Sequence, residues 1–129
     1  MSFEAATYSA ILGQVFAQIR KQKGIEQGEM AARMGVTQAS YSRLEGGKAT
    51  FSVDQMYQAA NALDISVSDV IEKLERFSSE LQQEGIDVQP QLRSNTTKAA
   101  QSNGSDSGVA KVIAGAALGA LLLGILSKK

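Results

Sequence analysis

Apolar residues recur along the first two thirds of the chain at helical intervals. Ile11, Leu12, Val15, Phe16 and Ile19 follow the 3.6-residue period and predict a helix from about Tyr8 to Lys23. Arg20, Lys21 and Lys23 fall in its last turn, where cations suit the helix dipole, and Gly24 follows as a terminator. Met30, Ala31 and Met34 form the inner stripe of a second helix from Gln27 to Met34, ended by Gly35. Thr37 is a natural N-cap for a third, Gln38 to Glu45, with Tyr41 and Leu44 inward and Gly46 and Gly47 beyond its end. Ser52 caps a fourth, Val53 to about Leu63, with Met56, Ala59, Ala60 and Leu63 inward. Ser66 opens a fifth, and Asp69 stands where the reciprocal acid of a capping box belongs. Residues 1–8 carry no strong pattern.

The fifth helix extends past one domain's needs. Val67, Val70, Leu74, Phe77 and Leu81 alternate three and four apart, a short heptad seam that Gly85 would stop. The first half of the seam can complete a domain core; Phe77 and Leu81 are harder to bury and favour pairing with a second chain. Gln89 to Gly108 is rich in Ser, Asn, Gln, Thr and Gly and reads as a flexible linker, with a coil span of roughly 22 to 27 Å. Val109 to Leu126 is apolar apart from Lys111. As a helix it would span about 27 Å, enough for a thin bilayer with Lys111 at one surface and Lys128 and Lys129 at the other. Gly115 and Gly119 form a GxxxG pair suited to helix contact in lipid. The segment therefore reads as a transmembrane tail anchor, with a re-entrant or surface-lying helix, or a buried core or oligomer helix, as the alternatives. MSFEAATYSA lacks the basic start and apolar run of a cleavable signal.

The expected organisation is a domain at 8–76, a helix extension and dimer seam at 77–88, the linker at 89–108 and the membrane helix at 109–126, all-α throughout. The 129 residues contain no Cys and no His, which excludes zinc fingers, disulfides and Ser-His-Asp catalysis. No paired carboxylates, nucleophile–base set, metal cluster or phosphate-binding glycine loop stands out, so a non-enzyme without cofactor is expected. The zero net charge hides an asymmetry. Residues 11–51 carry six basic groups against three acidic, and residues 52–76 carry two against five. Such polarity can turn a positive face toward phosphates.

Gly24 to Lys48, GIEQGEMAARMGVTQASYSRLEGGK, is two short helices joined at Gly35, with the spacing of a helix-turn-helix. LGQVFAQIRKQKG before it, Gln27 opening helix 2, Ala31 between helices 2 and 3, the Gly35 turn with Val36, Thr37 and Gln38, buried Tyr41 and Leu44, SRLEGGK, and the later ALDISVSDVIE complete the pattern. Leu12 to Leu74 thereby resembles the Cro/C1-type, or XRE-family, helix-turn-helix domain. The resemblance implies a five-helix, lambda-repressor-like fold that binds operator DNA as a homodimer. Carried over, Gln27 would bond a phosphate and brace Gln38, and Gln38 would read a base edge, adenine by preference. Ala39 would touch a thymine methyl, Arg43 a guanine edge or phosphate, Ser40 and Ser42 phosphates or bridging water, and Thr37 and Lys48 flanking phosphates. Gln27 and Thr37 also serve simply as helix caps on the residue reading. Gly28 in helix 2, and Ala49, Thr50 and Phe51 in place of a basic loop, depart from the family pattern.

The function expected is a dimeric, sequence-specific transcriptional regulator tethered to the cytoplasmic face of a bacterial inner membrane; a plain cytoplasmic location is the alternative. The rival function is a membrane-anchored adaptor that uses the same kind of domain to grip a cytoplasmic protein.

Overall fold

The structure, a computed structural model, describes residues 3–90 and 110–127. In chain order its elements are β1 (Phe3–Thr7), α1 (Tyr8–Gln22), α2 (Gln27–Met34), α3 (Gln38–Glu45), α4 (Val53–Ala62), α5 (Val67–Gln83), β2 (Asp87–Gln89), β3 (Ala110–Val112) and α6 (Gly115–Ser127). The caps expected from Thr37, Ser52 and Ser66 are made: each side chain accepts a hydrogen bond from the backbone N–H three residues on. The complete reciprocal box forms at Ser52 and Gln55 rather than at Ser66. Thr7, within the unpatterned first residues, caps α1 through the Ala10 N–H at 3.0 Å.

Helix α1 runs through the middle, with Ile11, Leu12, Val15, Phe16 and Ile19 all buried. It packs on α3, α5, α6 and β1. It meets the end of α3 backbone to backbone. A Cβ at Gly13 would lie 2.6 Å from the backbone oxygens of both Leu44 and Glu45, so only glycine lets the two helices meet there.

The fold is not all-α. β1 is the middle strand of a parallel three-stranded sheet ordered β2-β1-β3. Ala5, Ala6 and Thr7 pair with Asp87, Val88 and Gln89, while Phe3, Glu4 and Ala5 pair with Ala110, Lys111 and Val112. Parallel pairing needs a long crossover, and α1–α5 supply one between β1 and β2.

This sheet changes the reading of the second half of the chain. Helix α5 ends at Gln83, and Val70, Phe77 and Leu81 are buried within the chain itself, so the expected dimer seam at 77–88 is spent on the protein's own core. Gln89 is a strand residue; past Pro90, the proposed 89–108 linker lies outside the described residues. The expected single helix over 109–126 is instead, from Ala110 on, strand β3, two connecting residues and the 13-residue α6. At ~1.5 Å per residue that helix is about 20 Å long, short of a hydrocarbon core of about 30 Å. Among the described residues no helix is long and apolar enough to cross a membrane. Ile113, Leu118, Leu122 and Ile125 are buried in the same cluster as α1 and α5, so one side of the apolar segment that suggested lipid is covered by protein, while Val112 and Leu123 stay exposed. The membrane tether and inner-membrane placement, which rested on that helix, find no support.

Candidate nucleic-acid interface

Helices α2 and α3 meet across the turn at Gly35, whose φ of 77° is the left-handed conformation that closes α2. Its N–H and that of Val36 return to the carbonyls of Ala32 and Ala31. Along α3 successive residues turn by about 100°, which separates two faces. Tyr41 and Leu44 point inward, 0% and 2% exposed. Gln38, Ala39, Ser42 and Arg43 lie on the other side, all exposed, with Ser40 exposed at its margin. Thr37 and Lys48, at the two ends of the helix, are exposed as well. Thr37 is a true cap: its Oγ1 accepts from the Ser40 N–H at 3.1 Å.

Gln27 braces a different partner from the one expected. Its amide nitrogen donates to Glu45 Oε1 at 2.6 Å rather than to Gln38. The Gln38 amide instead lies over Gly28, where an added Cβ would sit 3.5 Å from its Oε1. Residue 28 therefore lies directly beneath the first side chain of α3.

Glu45 organises the underside of the motif. Arg20 Nε donates to its Oε2 at 2.8 Å and Arg20 Nη2 to its Oε1 at 3.0 Å, a bidentate pair. Tyr41 Oη donates to Oε2 at 2.6 Å, and Arg20 Nη1 donates to the Ile25 carbonyl at 2.8 Å. One carboxylate thus joins α1, the start of α2 and both ends of α3's inner face. Burial alone would push the Glu45 carboxyl up, but the hydrogen bonds from Arg20, Tyr41 and Gln27 outweigh it and hold it below its ordinary value. Burial likewise opposes the Arg20 charge, and the carboxylate overcomes it. The Tyr41 phenol is pushed up by burial and by its bond to Glu45.

Arg20 and Glu45 were legible only as charges in the sequence, yet each had a positional signal. Glu45 stands four residues after buried Tyr41, and Arg20 four after buried Phe16, so each shares its neighbour's inward face. With that pair and the surface pair Arg33–Glu29 neutralised, the basic excess of residues 11–51 rests on exposed Lys21, Lys23, Arg43 and Lys48. Lys21 joins Gln27 and Gln38 around a surface groove of about 480 Å³, which makes it a phosphate-contact candidate that the sequence reading did not single out. After α3, Phe51 packs on Phe16 with tilted rings whose centroids are 5.4 Å apart, and its N–H donates to Ser9 Oγ at 2.8 Å. The unusual Ala49-Thr50-Phe51 loop is thereby fastened to α1.

The helix-turn-helix family profile matches residues 16–70. Over 56 residues the chain is 39% identical to an uncharacterised HTH-type transcriptional regulator, y4dJ, of Sinorhizobium fredii, covering 43% of this chain and 73% of the relative. The chain belongs to the XRE-type helix-turn-helix family. A crystal structure of the clp gene regulator ClgR from Corynebacterium glutamicum aligns with this chain with a TM-score of 0.51 and 28% identity, over 53% of this chain and 88% of that one. A second crystal structure of ClgR aligns over 77% of this chain and 96% of its own, with a TM-score of 0.55 and 22% identity, a likeness of fold.

Proposed function

We propose that this XRE-family protein is a sequence-specific, DNA-binding transcriptional regulator. The observation that carries the reading is the outward face of α3. Gln38, Ala39, Ser42 and Arg43 are all exposed together on a helix whose opposite side is locked into the core by Tyr41, Leu44 and Glu45. A rigid helix that presents such side chains can enter a major groove. Gln38 is the adenine reader, Ala39 the thymine-methyl contact, and Arg43 the guanine or phosphate contact. Thr37, Ser40, Ser42, Lys48 and the α2 start at Gln27 face the sugar–phosphate backbone. Gln27 acts there from a side chain already anchored on Glu45, which fixes its position at the expense of one donor.

The protein acts as a homodimer on a two-fold site. With Phe77 and Leu81 inside the chain, the dimer face lies on α4 and α5. Val53 and Tyr57 are 67% and 52% exposed, and Tyr57 borders a depression of about 400 Å³ with Val67 and Ile71.

The test is selection of the full chain against a random-sequence duplex pool, followed by fluorescence anisotropy on the selected duplex at rising salt. An enriched motif, binding that weakens with salt, and loss of sequence preference in Gln38→Ala by about 1–3 kcal/mol at one base pair are expected. No enrichment, or binding indifferent to salt, would refute the reading.

A further inference from the structure

The segment Ala110–Ser127 does more than cover the core. Its first half is laid against the end of the recognition helix. Strand β3 is fixed to β1, and the Ile113 N–H donates to the Ala5 carbonyl at 2.7 Å. The chain then crosses the α3–α4 turn in contact with it. A Cβ at Gly47 would lie 2.9 Å from the Ala114 methyl, and one at Gly115 would lie 3.4 Å from the Gly46 carbonyl oxygen. One turn further on, the bare backbone of Gly119 abuts the Gln14 amide oxygen, closely enough that a Cβ there would overlap it. The nitrogen of that same amide donates to the Glu45 backbone carbonyl at 3.2 Å. Leu118 and Leu122, both 0% exposed, seat the helix from below.

We infer that Ala110–Ser127 is a strap that positions the carboxyl end of α3, with Gln14 as the link between them. Two glycines, Gly47 and Gly119, let it approach so closely, and Gly115 makes the turn into α6 at a φ of 62°. The carbonyl it reaches through Gln14 belongs to Glu45, the residue whose carboxylate ties α3 to Arg20 and Gln27. The strap holds without covering. Gly115 and Ala116 share a depression of about 240 Å³ with Lys21, Gln27 and Ser42, beside the candidate face, yet Gln38, Ala39, Ser42 and Arg43 stay exposed with the strap in place. Gln14 is a positioning residue: it acts on DNA only through α3. The geometry stands by itself, while the consequence for DNA rests on the function proposed above.

The decisive experiment is amide hydrogen exchange on the full chain, wild type against Gly119→Leu and Gln14→Ala. The first variant drives the strap off Gln14; the second removes the link and leaves the glycine seat open. The amides of Gly46, Gly47 and Lys48 donate to Ser42, Leu44 and Arg43, so the state of this turn is directly readable. About tenfold faster exchange at those three amides is expected in both variants, with the Val36 amide at the distant α2 turn unchanged. Equal exchange at the turn would overturn the inference, as would equal acceleration at Val36, which would mean that the whole domain had loosened. Binding to sheared genomic duplex DNA separates the two claims. Weaker binding by both variants supports the strap's role, and undiminished binding despite faster exchange refutes it. If the wild type binds no duplex under any salt condition, the DNA reading fails, while the exchange comparison still decides whether the strap holds the turn.

Discussion

Two ion pairs in this chain make opposite predictions about what an acid is worth. Arg33–Glu29 is the shorter at 2.6 Å, but its side chains are 42% and 51% exposed. Arg20–Glu45 is 2.8 Å long, and its side chains are 8% and 9% exposed. Distance ranks the surface pair first; burial reverses the order. Glu45→Ala leaves the Arg20 guanidinium inside the fold with only the Ile25 carbonyl, and strips the Tyr41 hydroxyl and the Gln27 amide of their acceptor. Breaking a buried pair on one side costs about 3–5 kcal/mol. A domain of this size has about 5–15 kcal/mol in total. At ~4–8 °C per kcal/mol, the melting temperature should fall by at least about 12 °C. Glu29→Ala, an exposed i,i+4 partner, should cost about 0.5 kcal/mol or less. Urea unfolding followed by circular dichroism measures both. If Glu45→Ala lies within about 1 kcal/mol of Glu29→Ala, the carboxylate does not organise the motif as described.

Other substitutions probe neighbouring links. Gly13→Ala should destabilise by about 1–3 kcal/mol, because its methyl meets two backbone carbonyls that cannot yield cheaply; Gly28→Ala, with only ordinary contact to Gln38, should stabilise α2 by up to ~1 kcal/mol, and thermal unfolding of the pair distinguishes them. The depressed Glu45 carboxyl contributes stability that is complete above the unfolded value of about 4.3 and is lost as pH falls through its lower folded value. Wild-type stability should therefore drop more steeply than that of Glu45→Gln in an acid titration below about pH 4. Lys48→Ala should weaken DNA binding evenly across sequences and reduce the slope of log affinity against log salt by about one per protomer, measured by anisotropy.

Local signals carried the helices well and the sheet not at all. Periodicity and caps locate α2 and α3 to the residue, because Thr37, Gly35 and the Met30–Met34 stripe act within one or two turns. The strands are three to five residues long and exist only because β1 finds partners more than eighty residues away, a relation no window contains. The same non-locality misdirected the reading of Phe77, Leu81 and the tail. An apolar stripe says that something must cover it, but not whether the cover is a second chain, a lipid or the protein's own termini; here β2 and α6 pack on α5. At the site, the exposed side of α3 followed from its inward Tyr41 and Leu44. The network beneath was harder to see, since Arg20 and Glu45 look like ordinary surface charges until their helical phase is counted against Phe16 and Tyr41.

The central claim, that the outer face of α3 is a DNA-reading surface, is tested most directly by mapping backbone amide chemical shifts of the full chain as its selected duplex is added. Changes should concentrate at Gln27, at Thr37 to Arg43 and at Lys48, and should vanish for Gln38 and its neighbours when Gln38 and Arg43 are both alanine. Changes centred on α4 and α5, with α3 silent, would contradict it.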